Sequence, residues 1–207
     1  MLLTTIYLIA IVAEAMSGAI MAMRRSMDLF GICLIGTITA IGGGTVRDVL
    51  LGHYPLAWVA NPKTILFTVL ASIVTTVTVR HLHRLRTLFL LADGLGLVAF
   101  TIIGCDIGLA AGVHYSIAII AGMITGVFGG LLRDVLCNQV PLVLQKDIYA
   151  CVSLAAGAAY VAMLAVGIDA GAASIIALTG GVLFRMLALR FHWRLPNFKG
   201  DAIKGFD

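Results

Sequence analysis

Gly42-Gly43-Gly44-Thr45-Val46-Arg47-Asp48 interrupts an otherwise apolar segment, and its reading decides the fold. Three consecutive glycines inside a helix cost about 1 kcal/mol each relative to alanine, so something must compensate for them. They mark a place where a helix unwinds, bends, or lets another backbone or an ion come close. Arg47 and Asp48 follow directly, two charges that a bilayer core penalises. The pattern returns 86 residues later as Phe128-Gly129-Gly130-Leu131-Leu132-Arg133-Asp134.

Composition sets the class. Of 207 residues, 61% are hydrophobic and 12% charged, and the mean hydropathy is +1.07. A soluble domain of this length has too little polar surface to cover so much apolar material, so the chain reads as an all-α integral membrane protein. Apolar runs near 3–23, 29–52, 62–80, 88–109, 115–137, 147–167 and 170–190 predict seven transmembrane helices, each approaching the length that crosses about 30 Å of hydrocarbon. The whole chain, 1–207, forms a single membrane domain ending in a basic tail over 191–207. Residues 1–8 carry no Lys or Arg, and Arg24-Arg25 follow the first run, so Ala13-Glu14-Ala15 is not read as a cleavage site.

With seven spans, ten Lys and Arg residues of loops and tail share a side with the C-terminus, and only Lys63 lies opposite. That asymmetry predicts a cytoplasmic C-terminus and an external N-terminus. Arg185, near the end of the seventh run, is expected to snorkel to the interface. Tyr54 and Trp58 suit the outer interface, and Phe191 with Trp193 the inner one. The scattered basic residues leave no footprint for nucleic acid. Cys33, Cys105, Cys137 and Cys151 have no metal-ligand spacing and read as packing residues. The five histidines fall at span edges or in loops. Gly104, Gly108 and Gly112 form a small-residue packing stripe, as do Ala155, Gly157 and Ala159. No nucleophile–base pair, metal cluster or cofactor loop supports an enzyme or a bound cofactor, and neither glycine copy continues into a P-loop.

At an offset of 86, nine of the fifteen positions in 36–50 are identical to their counterparts, and Pro55 matches Pro141. Glu14 resembles Asp93 at a shorter offset of 79. The repeat unit is therefore three helices, 3–80 matching 88–167, with 170–190 left over. An odd number of helices places the two units in opposite polarity, an inverted repeat with a pathway between its halves. Neighbouring residues point about 100° apart on a helix, which argues against Arg47 pairing with Asp48. The expected pairs are Glu14 with Arg47 and Asp93 with Arg133, with Asp48 and Asp134 adding to the vestibule charge. Unwinding at the glycines frees carbonyl oxygens. Together with the Thr39 and Thr125 hydroxyls they suit a transient monovalent cation better than a tightly held divalent one. The plainer alternative is that the glycines only let helices pack closely and the ion pairs are structural.

The two motifs, Thr39-Ala40-Ile41-Gly42-Gly43-Gly44-Thr45-Val46-Arg47-Asp48-Val49-Leu50-Leu51-Gly52 before Pro55, and Gly122 to Asp134, resemble the bacterial members of the trimeric intracellular cation channel (TRIC) family. These are also known as small inner-membrane proteins with a paired glycine transporter domain. The resemblance covers about residues 5–190. It implies seven helices, kinked helices 2 and 5, a homotrimer in the bacterial inner membrane, and one pore per protomer passing potassium and, less selectively, sodium. Hinges are then expected at Gly42, Gly43, Gly44, Gly129 and Gly130. Phe128 departs from the pattern by replacing the first glycine of the second triplet, and its bulk is expected to narrow or gate the pathway. A secondary transporter for a small solute such as glycine, and a non-transporting scaffold, are the other readings of the same repeat.

Overall fold

Apolar runs without interior proline, punctuated by Asp, Gly and Pro, give nine helices among the described residues. The structure, a computed structural model, describes residues 2–79, 85–145 and 148–193. Seven helices have 17 or more residues: α1 (Leu2–Arg24), α2 (Leu29–Leu51), α4 (Lys63–Val79), α5 (Leu85–Ala110), α6 (Tyr115–Leu136), α8 (Tyr149–Ala165) and α9 (Ala170–Arg190). Two single turns, α3 (Ala57–Ala60) and α7 (Leu142–Gln145), follow α2 and α6. Five of the helices, α1, α2, α5, α6 and α9, are long and apolar enough to cross a membrane, while α4 and α8 have 17 residues each. Arg80, Arg84, Lys146 and the predicted basic tail beyond Trp193 lie outside the described residues.

Local chemistry sets the boundaries. The Asp28 carboxylate accepts the Gly31 N–H at 2.8 Å and starts α2, and Asp169 caps α9 through Gly171 and Ala172. Gly52, at φ 65°, closes α2 in the left-handed conformation that a glycine adopts without penalty. Along α4 the buried face is a stripe of Thr64, Thr68, Ser72 and Thr75. Ser72 and Thr75 return their hydroxyls to the carbonyls four residues back, and Thr68 bonds Thr37 of α2 at 2.9 Å.

The helix boundaries repeat at one interval. Leu29 and Tyr115, Lys63 and Tyr149, and Val79 and Ala165 open or close corresponding helices, each 86 residues apart. The contacts repeat likewise. Gly36 lies against the Ala15 carbonyl, and Gly122 lies against that of Thr101. Gly18 abuts the Thr39 hydroxyl, and Gly104 abuts that of Thr125. The interval therefore holds for α1 and α5 too, which corrects the offset of 79 chosen for Glu14 and Asp93. The residue equivalent to Glu14 is Phe100, and the one equivalent to Asp93 is Tyr7.

Gly42–Gly44 and Gly129–Gly130 do not break their helices. Both α2 and α6 are helical from end to end, so no carbonyls are freed by unwinding. What the glycines provide is a crossing. A Cβ on Gly43 would collide with the Thr125 carbonyl oxygen, and one on Gly129 with that of Thr39. Each copy thus seats its glycine under a carbonyl of the other, a backbone approach that only a residue without a side chain permits. The Gly104–Gly108 stripe works in the same way within the chain, against Gly122 and Ala118 of α6.

Candidate functional site

On either side of this crossing lies a buried arginine paired with the aspartate that follows it. Arg47 donates from Nε and Nη2 to Asp48 Oδ1, at 3.0 and 2.6 Å. Arg133 donates from Nε to Asp134 Oδ1 at 2.8 Å. Long arginine stems fold back far enough to defeat the expectation that neighbours on a helix cannot meet. The second oxygen of each aspartate accepts a backbone N–H opening the next short helix, Ala57 for Asp48 and Leu142 for Asp134, at 3.0 and 2.9 Å. Each aspartate thereby holds its arginine and the chain leaving the helix.

Beyond this shared frame the two ends differ. Around Arg133, Nη1 bonds Asp93 at 2.6 Å and the Ser17 hydroxyl at 2.8 Å, and the guanidinium lies 4.8 Å from the centre of the Phe89 ring. The expected Asp93–Arg133 pair is present. Glu14 is not with Arg47: it accepts from Ser17 at 3.4 Å, with its carboxylate against Gly96, in the cluster of Asp93 and Arg133. The physical reason is the 86-residue interval, which places both acids at one end of the bundle and puts Tyr7 and Phe100 at the matching positions beside Arg47. Those two rings meet edge to face, 6.4 Å apart.

The Arg47 end is open. A cavity of about 260 Å³ is lined there by Tyr7, Arg47, Trp58, Phe100, Asp106 and Thr125, among others, and reaches the crossing at Gly44. Asp106 receives the Tyr160 hydroxyl at 3.2 Å. Trp58, assigned to the interface by sequence, faces this cavity, and its Nε1 is buried with no partner among the described residues. Of the predicted pathway residues, Gly44 and Thr125 line the cavity; Thr39, Gly42, Gly43, Phe128, Gly129 and Gly130 do not. Both threonine hydroxyls donate to their own helix, Thr39 to Ile35 and Thr125 to Ala121, at 2.6 Å each. Their lone pairs alone remain for a ligand.

At the Arg133 end the charged cluster is buried. Glu14, Ser17, Asp93, Arg133, Asp134, Tyr149 and Arg185 are all at most 2% exposed. Arg185 does not snorkel. Its guanidinium lies 4.6 Å from the centre of the Tyr149 ring, and its stem packs beside Gly94. Sequence reasoning missed it because an arginine one turn from a helix end ordinarily reaches water. Its partners, Tyr149 of α8 and Gly94 of α5, come from other helices and carry no local signal.

A doubled three-helix unit, joined through a glycine crossing and carrying one Arg-Asp pair per copy, defines a class of small helical membrane proteins. The family model described as glycine transporter matches residues 4–80 and again 90–165. Inner membrane protein YadS of Escherichia coli (strain K12) is 36% identical over 189 residues, 90% of this chain and 91% of that protein. The TRIC channel orthologue from Rhodobacter sphaeroides superposes with a TM-score of 0.88 at 31% identity, covering 92% of this chain and 98% of the other. A second TRIC cation channel structure gives 0.86 at 33% identity, over 95% and 97%. The chain belongs to this family, as a bacterial member of the TRIC group.

Proposed function

We propose that the chain is a potassium-permeable monovalent-cation channel, with one pathway per protomer running past the α2–α6 crossing. The observation that carries this reading is the cavity descending from the Arg47 end to Thr125, with Asp106 in its lining beside Arg47. At that end Asp48 and Asp106 face Arg47. At the other end Asp93 and Asp134 bond Arg133, with Glu14 in the same cluster. Each arginine is thus matched by carboxylate, so neither end presents an uncompensated cation to a permeating ion. Mobile cations rather than fixed ones suit such a lining, because hydroxyl and carboxylate oxygens here are not gathered into a cage.

The two units have opposite polarity in the membrane on this reading, with α4 and α8 as spans, α9 as the seventh, and the Arg133 end in the cytoplasm by the distribution of basic residues. The Rhodobacter sphaeroides relative is a trimeric intracellular cation channel orthologue, and the relatives include a named inner membrane protein, which supports a homotrimer in the bacterial inner membrane. A second reading, a carrier for a small zwitterion such as glycine, is favoured by one feature: the open cavity presents Arg47 and Asp106, of opposite sign.

Purified protein in liposomes separates the two. The channel predicts potassium flux without added solute, with chloride flux much smaller. The carrier predicts saturable glycine uptake without independent potassium flux. Neutralising the open end by Asp106→Asn should lower potassium flux severalfold in the first case. Flux unchanged by this substitution would count against the charged cavity as the ion's entrance.

A further inference from the structure

The Arg47 end departs from its repeat at four positions that share one cavity. Tyr7 and Phe100 stand where the Arg133 end has Asp93 and Glu14. Trp58 stands where the second unit has Leu144, and Asp106 where the first has Ile20. Three rings and one acid therefore replace two acids and two aliphatic residues, and all four line the cavity of about 260 Å³ beside Arg47.

The polar groups of this lining are not matched to one another. Trp58 Nε1, a donor only, is buried with no partner among the described residues. Arg47 commits Nε and Nη2 to Asp48, and its Nη1 has no hydrogen bond among the described residues. Asp106 accepts the Tyr160 hydroxyl through Oδ1 alone, and no cation among the described residues pairs with it. Two free donors and one unpaired carboxylate complement a dipolar molecule, its anion on the donors and its cation on Asp106. Water satisfies the donors equally well, but it makes no use of three aromatic side chains. Tyr7, Trp58 and Phe100 come from α1, α3 and α5 into the same lining as the carboxylate. Aromatic walls with a carboxylate are the combination that holds an ammonium carrying methyl groups. The space equals about nine waters at roughly 30 Å³ each, more than glycine fills.

We propose that this cavity binds a methylated-ammonium zwitterion of the betaine type, its anionic group on Arg47 and Trp58 and its trimethylammonium group among Tyr7, Phe100 and Asp106. The same chemistry comes from a free solute or from a phosphocholine lipid headgroup. The site goes beyond the channel reading: a bound ligand obstructs potassium only where the pathway runs through this cavity.

Binding of radiolabelled trimethylglycine to the purified full chain is measured in maltoside detergent, with unlabelled glycine, tetramethylammonium and acetate as competitors. Saturable binding is expected, with each competitor roughly tenfold weaker or more, because each lacks the methyl groups or one of the two charges. Trp58→Leu, Phe100→Leu and Asp106→Asn, each first checked for unchanged elution and melting, should weaken binding roughly ten- to thirtyfold. Trp58→Phe keeps a ring and loses the N–H, and should weaken it about fivefold. Trp58 is half-buried on a single-turn helix, so its variants carry the test should the other two fail to fold. Absence of saturable binding overturns the proposal. So does glycine or tetramethylammonium competing as well as trimethylglycine itself, or folded Trp58→Leu protein with parental affinity.

Two further arms assign the source and the place. In liposomes, a lower apparent affinity when phosphatidylcholine is present assigns the site to the headgroup, and an unchanged one assigns it to a free solute. Block of potassium flux by trimethylglycine from the Arg47 side puts the site in the pathway. Binding with flux unaffected leaves the site standing and counts against a pathway through this cavity.

Discussion

Arg133→Met is expected to destabilise the detergent-solubilised protein by on the order of 3–5 kcal/mol, the effect of stripping one partner from a buried ion network. Asp93 and Asp134 lose the guanidinium they bond in that variant, and Glu14 loses the positive charge of the same cluster, with all three at most 1% exposed. Arg47→Met should be milder, about 1–3 kcal/mol. Asp48 would keep the Ala57 N–H at 3.0 Å and the His53 ring at 3.2 Å, beside a cavity that admits water. Adding Asp93→Asn to Arg133→Met should recover part of the loss, because it removes one of the stranded charges. Melting curves of the parent and the three variants check this. Equal losses for Arg47→Met and Arg133→Met would show that the two ends are not as different as their partner sets indicate.

Gly43→Ala and Gly44→Ala should move stability in opposite directions although they are neighbours. At Gly43 the added methyl meets the Thr125 carbonyl, so α2 and α6 must separate; the expected loss is about 1–3 kcal/mol, and more for leucine. Gly129→Ala should match it, against the Thr39 carbonyl. At Gly44 the added methyl would meet only the Arg47 side chain of its own helix, Nη2 at 3.7 Å, an ordinary contact. There alanine should gain up to about 1 kcal/mol from its helix preference. A fall in melting temperature of equal size at 43 and 44 would mean that the glycines serve a bend rather than a crossing.

The helices were legible because hydropathy is a bulk property of each segment. The predicted run 29–52 is α2 over Leu29–Leu51, and 170–190 is α9 over Ala170–Arg190. Asp93 with Arg133 was legible as well, since opposite charges in apolar helices must find each other. The misreadings came from matching residues by chemistry instead of by position. Glu14 looked like the counterpart of Asp93 because both are acids, but helix packing aligns by interval, and the interval is 86. The glycine triplet looked like a break because glycine is weak in helices; neighbouring backbones determine whether that weakness is used, and here they hold the helix intact. Arg185 and the difference between the two ends depend on which side chains from far-apart helices share a space. No single segment encodes that.

The bond between Ser17 and Arg133 joins residues 116 apart, and its consequence falls on synthesis. A ribosome adding about 5–20 residues per second leaves the first helix without that partner for roughly 6–23 s. During that interval Glu14 and Ser17 are in the membrane with no guanidinium to meet, and the glycines of the second helix have no second backbone to rest on. The first unit is therefore not a finished module awaiting its twin. It is an open half that the insertion machinery must shelter from lipid and from other nascent chains until α6 arrives. A stall or truncation between the two units leaves a product with an unpaired carboxylate in hydrocarbon, the feature by which a membrane quality-control protease can tell an unfinished chain from a complete one.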